Sequence, residues 1–151
     1  MLYDQLLEDI EQFLAQKPSR KDGLSFICEL LHRKVEKYSW VGYYLHSKEK
    51  PELVLTAFQG APTEHTHIPF GKGICGQVAL SNQNFIVDDV NTQENYIACS
   101  LDVKSEIVVP LIVNGENIGQ IDIDGHAIAA FNKNDASFLE KVNRLVTLHL
   151  F

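Results

Sequence analysis

The chain is poor in cysteine, lacks any long apolar run and has no excess of positive charge. Its three cysteines, Cys28, Cys75 and Cys99, are an odd and sparse set. That excludes a disulfide-built scaffold and points to reduced thiols in a cytoplasm. No segment approaches the roughly 20 consecutive apolar residues of a membrane span. The start, Met1-Leu2-Tyr3-Asp4-Gln5, has neither the basic nor the apolar region of a secretory signal. With 13 basic and 20 acidic residues the net charge is −7, which argues against nucleic acid or an anionic membrane surface as partner.

What is present is an ordinary globular chain. Its 151 residues, 45% of them apolar, are expected to form one domain with a substantial core over 1–151. Leu6, Leu7, Ile10, Phe13 and Leu14 recur at helical spacing and predict a helix over 3–15. Pro18-Ser19-Arg20 breaks it. A second helix is expected over 23–37, with Leu24, Ile27, Leu30, Leu31 and Val35 on one stripe and Cys28 beside it as a structural thiol.

Strand signals follow over 39–45, 53–58 and 66–70, the first two paired across the charged turn Ser47 to Pro51. Gly71 and Gly73 punctuate before a short helix starting at Cys75. Phe85-Ile86-Val87 is a strand, 88–98 a loop, and 106–113 and 118–124 a hairpin around Asn114-Gly115. Asn134 is the expected cap of a last helix carrying Phe138, Val142, Leu145 and Leu148 on its apolar side. The order predicts an α+β fold, a mainly antiparallel central sheet with helices packed on it. Residues 107–113 are apolar at both parities, as expected of a strand covered on both faces.

The chemistry-bearing residues cluster late in the chain. Cys99 lies between Ala98 and Ser100, small neighbours that leave a thiol reachable. Cys75 precedes Gly76 at a helix N-terminus, where the helix dipole lowers a thiol pKa. Asp122 and Asp124 alternate on a strand and share a face with Gln120, while Ile121 and Ile123 point into the core. Whether Glu106 joins them depends on register. A two-residue turn at Asn114-Gly115 sets Glu106 opposite Ile123; a three-residue loop with a glycine bulge sets it opposite Asp124. The bulged register is expected. Three convergent carboxylates would then hold a proton at raised pKa and suit a substrate ammonium. Trp40 and Tyr44, on one face of a strand with Gly42 between them, either pack in the core or form an aromatic wall beside that pocket.

Two other readings have less behind them. His65 and His67 alternate on the third strand, and with Cys75 or Cys99 they could ligate zinc. No tight Cys-x-x-Cys or His-x-x-x-His spacing supports this, so no metal is expected. Gly71 and Gly73 lack the full dinucleotide fingerprint, and no cofactor is expected.

Taken together, Phe70-Gly71-Lys72-Gly73-Ile74-Cys75-Gly76, Val87-Asp88-Asp89-Val90, Ile97-Ala98-Cys99, Ser105 to Pro110 and Ile121 to Asp124 resemble the free methionine-(R)-sulfoxide reductases, small GAF proteins. Trp40-Val41-Gly42-Tyr43-Tyr44 and Phe58-Gln59-Gly60 extend the likeness over most of the chain. The resemblance implies a GAF fold, a six-stranded antiparallel sheet between helices, often as a homodimer. It implies reduction of free methionine-(R)-sulfoxide, not of sulfoxide within proteins, with a thioredoxin-like reductant. It assigns Cys99 as nucleophile and Cys75 as resolving thiol. Glu106, Asp122 and Asp124 become the substrate carboxylates, and Trp40 and Tyr44 the aromatic wall. Ten residues before Cys75, where the family's usual resolving cysteine lies, this chain has His65. Tyr96, Ser100 and Gly125 also depart from the family pattern. The alternative is a GAF module that binds a small amino-acid-like molecule without turnover.

Overall fold

The computed structural model describes residues 1–93 and 102–151. Cys99, Tyr96, Ser100 and the end of the loop expected over 88–98 lie outside the described residues. The chain runs through helices α1 (Leu2–Leu14) and α2 (Arg20–Lys34) and strands β1 (Trp40–His46), β2 (Glu52–Gln59) and β3 (His67–Pro69). Helix α3 (Gly73–Ser81), strand β4 (Phe85–Val87) and a 3-10 turn at Val90–Thr92 follow. Strands β5 (Ser105–Val113) and β6 (Glu116–Gly125) and helix α4 (Lys133–Leu150) complete the described elements.

The strands form one antiparallel sheet in the order β3-β2-β1-β6-β5-β4. It has a core on each face. One holds Leu6, Ile10 and Leu14 of α1, Leu24, Ile27 and Leu31 of α2 and Phe138, Leu139 and Val142 of α4 against Val41, Tyr43, Val109 and Ile121. The other packs Ile74, Val78 and Ala79 of α3 on Tyr44, Leu53 and Val108. Each large aliphatic side chain so buried contributes about 1.5–3 kcal/mol. As expected, β5 is covered on both faces, by α4 and by α3.

Local chemistry moves some predicted boundaries. Helix α2 starts at Arg20, earlier than expected, because Ser19 caps it: its Oγ accepts from Asp22 N at 3.1 Å. Asn132, not Asn134, caps α4; it forms a capping box with Asp135, and Asn134 supplies a backbone N–H to it. The core side of α4 is also rotated from expectation. Leu139, Val146 and Leu150 are buried, whereas Leu148 is 75% exposed. Cys28 is fully buried in the first core, and desolvation pushes its thiol well above the ordinary range.

The β5–β6 hairpin has the expected pairing for an unexpected reason. Asn114 and Gly115 both take positive φ, 52° and 79°, and Val113 pairs with Glu116. The turn is therefore the tight two-residue kind. The extra residue is not in the loop but on β6: Ile112 pairs with Asn117 and Leu111 with Gly119, leaving Ile118 as a bulge. Beyond it Glu106 faces Asp124 and Val108 faces Asp122.

Candidate active site

Three neighbouring strands bring the predicted side chains to the α3 face of the sheet. Trp40 pairs with Asp124, Gly42 with Asp122 and Tyr44 with Gln120 across β1 and β6. Because side chains alternate along a strand, Trp40, Tyr44, Gln120, Asp122, Asp124 and Glu106 all lie on one side. All are buried, with Glu106 5%, Asp122 1% and Asp124 2% exposed. Cys75, on the first turn of α3, is laid over them, its Sγ 3.8 Å from Glu106 Oε2.

Burial decides the protonation of this group. Desolvation raises the Asp122 carboxyl pKa, against hydrogen bonds from Glu106 and Cys75 that favour its charged form. Desolvation, then the charge of Asp122, pushes Asp124 far up. Several carboxylates in one dry site cannot all ionise, so a proton is retained, as expected from the register argument. Cys75 behaves opposite to the expectation from its helix position. Burial first, and then the charges of Asp122, Glu106 and Asp124, push its thiol well above the ordinary range. Burial, and then the carboxylates it faces, outweigh the helix N-terminus.

The aromatic pair is held from outside the sheet. The Trp40 and Tyr44 ring centroids are 6.4 Å apart. Trp40 Nε1 donates to Ala61 O at 3.0 Å and Tyr44 Oη to His65 O at 2.9 Å. The segment between β2 and β3 is thereby tied across the pair. His65 is not on a strand, since β3 begins at His67, and the shared histidine face expected there does not form. Instead His65 lines the cavity beside Cys75 with Tyr44, Lys72, Glu106 and Asp122. That cavity is about 20 Å³, room for a single water. A wider space of about 450 Å³ is lined by Trp40 and Asp124 together with Asp102, His32 and His126.

Gly42 has a role that spacing along the chain does not reveal. A Cβ there would lie 2.3 Å from the Trp40 indole, so the ring lies across this glycine. Lys72 is a further pocket residue, absent from the expected set, and its place just before the Gly73-Ile74-Cys75 turn is the sequence signal for it. Of the predicted residues, Trp40, Tyr44, Cys75, Glu106, Asp122 and Asp124 are brought together. Cys99 lies outside the described residues.

A curled six-stranded sheet flanked by helices, with a thiol and buried carboxylates on one face, defines a GAF-type ligand pocket. A family model for the GAF domain matches residues 19–150. The chain is 36% identical to the free methionine-R-sulfoxide reductase of Saccharomyces cerevisiae, over 92% of this chain and 84% of that protein. It is 34% identical to the enzyme of the same name from Escherichia coli, over 93% and 83%. The free methionine-R-sulfoxide reductase of Neisseria meningitidis, solved in complex with its substrate, superposes with a TM-score of 0.93 at 35% identity, over 97% of this chain and 87% of that one. The chain belongs to the GAF-domain family of free methionine-(R)-sulfoxide reductases.

Proposed function

We propose that this protein reduces free methionine-(R)-sulfoxide to methionine with its own thiols. The observation that carries this reading is the convergence of Glu106, Asp122 and Asp124 beneath Cys75, on a face walled by Trp40 and Tyr44. A buried acidic group recognises the ammonium of a free amino acid and rejects the neutral backbone of a peptide residue. The rings cover the methyl and methylene groups.

Cys99 is the nucleophile of this scheme. Its sulfur attacks the sulfoxide sulfur, and oxygen passes to Cys99 as a sulfenic acid while methionine leaves. The thiol proton ends on that oxygen, relayed by the protonated carboxyl group. Cys75 then attacks the sulfenic sulfur; its proton and the hydroxyl leave as water, and a Cys75–Cys99 disulfide remains. Glu106, 3.8 Å from Cys75 Sγ, takes the Cys75 proton, which a buried thiol of raised pKa does not release by itself. A thioredoxin-like dithiol restores both thiols by exchange. His65, where the family carries its usual resolving cysteine, makes Cys75 the internal partner. The protein acts in the cytoplasm as a homodimer.

A single turnover tests the reading. One equivalent of methionine-R-sulfoxide mixed with reduced protein should yield one methionine and the loss of two thiols per chain. No methionine would sink it in favour of a non-catalytic GAF module. Cys75→Ser should still release the first methionine and lose thioredoxin-driven recycling; unchanged turnover would remove Cys75 as resolver.

A further inference from the structure

We propose that Cys75, Glu106 and Asp122 form a binding site for one thiophilic divalent cation of zinc size. Their sulfur and carboxylate oxygens all lie within 4.8 Å of one another. A tetrahedral zinc centre with bonds of about 2.3 Å to sulfur and about 2.0 Å to oxygen separates those ligand atoms by roughly 3.5 Å. The Cys75 Sγ to Glu106 Oε2 distance of 3.8 Å needs only a small closure to match it.

A second observation points to a ligand. Asp122 is 1% exposed, yet among the described residues its Oδ1 has no hydrogen-bond partner, and the residue lines the cavity against Cys75. A buried carboxylate oxygen left unpaired is destabilising, and a cation in that position removes the cost. The cavity of about 20 Å³ has the volume of one ion or one water and is not large enough for an organic ligand. Three protein ligands with the fourth position left to water is an ordinary arrangement for zinc. The donor set, one sulfur and two oxygens, excludes magnesium and calcium, which take all-oxygen sites. This site differs from the His65, Cys75, Cys99 set considered from sequence, since it uses neither His65 nor Cys99.

A cation held there occupies the sulfur of Cys75 and two of the three carboxylates. On the reductase reading, it would reversibly switch off recycling and substrate binding together. The metal site itself does not depend on that reading.

Cobalt is the probe, with no sulfoxide present. Reduced protein titrated with Co²⁺ should bind one ion per chain, with thiolate-to-cobalt charge-transfer absorption and the visible bands of a tetrahedral centre, both abolished by Zn²⁺. The charge-transfer band should vanish in Cys75→Ala and persist in Cys99→Ser. Asp122→Asn and Glu106→Gln should each weaken binding by on the order of a hundredfold. Thermal melts of the metal-free variants show that the fold is retained. No charge-transfer band at excess Co²⁺, a band that survives Cys75→Ala, or one lost in Cys99→Ser would overturn the proposal. A negative titration leaves the reductase reading standing, and absent methionine formation leaves the metal site standing.

Discussion

The indole of Trp40 lies flat across Gly42, so that a Cβ at residue 42 would come within 2.3 Å of Trp40 Cη2 and 2.5 Å of Cζ3. Gly42 pairs with Asp122 on the next strand. The glycine thus sets the ring beside the carboxylates, with Phe58 stacked 5.7 Å away from the ring.

Gly42→Ala should therefore dislodge the ring. Overpacking of this kind costs about 1–3 kcal/mol. Trp40 is the one tryptophan of the chain, so its emission reports the change directly. The variant should show a red-shifted spectrum and a raised KM for methionine-R-sulfoxide. An unchanged spectrum would mean that the backbone yields elsewhere.

Asp124→Asn should trade function for stability. The Asp124 carboxyl pKa is raised by burial and by Asp122, so its folded value lies above the unfolded one of about 3.9. Its contribution is most favourable at low pH and is lost as pH rises through the folded value. The neutral amide removes that loss. The variant should gain about 1 kcal/mol at pH 8, a rise in Tm of roughly 2–4 °C for a chain of this size, while kcat/KM falls. A gain equal at pH 5 and pH 8 would contradict the assigned cause.

Asp135 should show the opposite sign. Burial alone would raise its pKa, but Lys37 Nζ at 2.7 Å and the hydroxyls of Tyr3 at 2.6 Å and Tyr38 at 2.7 Å outweigh it and hold the carboxyl low. A lowered folded pKa gives stability that is complete above the unfolded value of about 3.9 and is lost as pH falls through the folded one. Asp135→Asn should destabilise by about 1–2 kcal/mol at neutral pH, chiefly by weakening the charge-assisted hydrogen bonds from Tyr3 and Tyr38, since Lys37 is 38% exposed and rehydrates. The deficit should shrink below about pH 4. Urea melts at pH 3 and pH 7 measure it.

Tyr44→Phe should loosen the segment between β2 and β3. The lost hydrogen bond to His65 O costs about 1 kcal/mol. Amide exchange over 61–66 should accelerate while the β1–β6 ladder is unchanged. Equal protection in both proteins would show that the other ties, among them Trp40 Nε1 to Ala61 O and Leu55 N to Thr66 O, suffice to hold the segment.

Much of this architecture is legible in the chain because it follows from local patterns. The helical spacing of Leu6, Ile10 and Leu14, the alternation around Asp122 and Asp124 and the Asn114-Gly115 turn each depend on a few neighbouring residues. The motifs around Cys75, Cys99 and Glu106 carried the family resemblance on that basis. Caps were less legible: Ser19 and Asn132 lie one residue before their helices among other polar residues able to cap, and only backbone geometry separates them.

Three things were decided only in the folded molecule. The bulge at Ile118 restores Glu106 to the aspartate face after a tight turn that would have turned it away, and a bulge on one strand depends on how both strands pack. Cys75 is protonated, not activated, because the fold buries it and lays it over the carboxylates of β5 and β6, and no spacing along the chain measures either effect. Gly42 owes its role to a ring lying across it. Residue types and periodicity set which groups were available and which face each would occupy; distance across the sheet set what they do to one another.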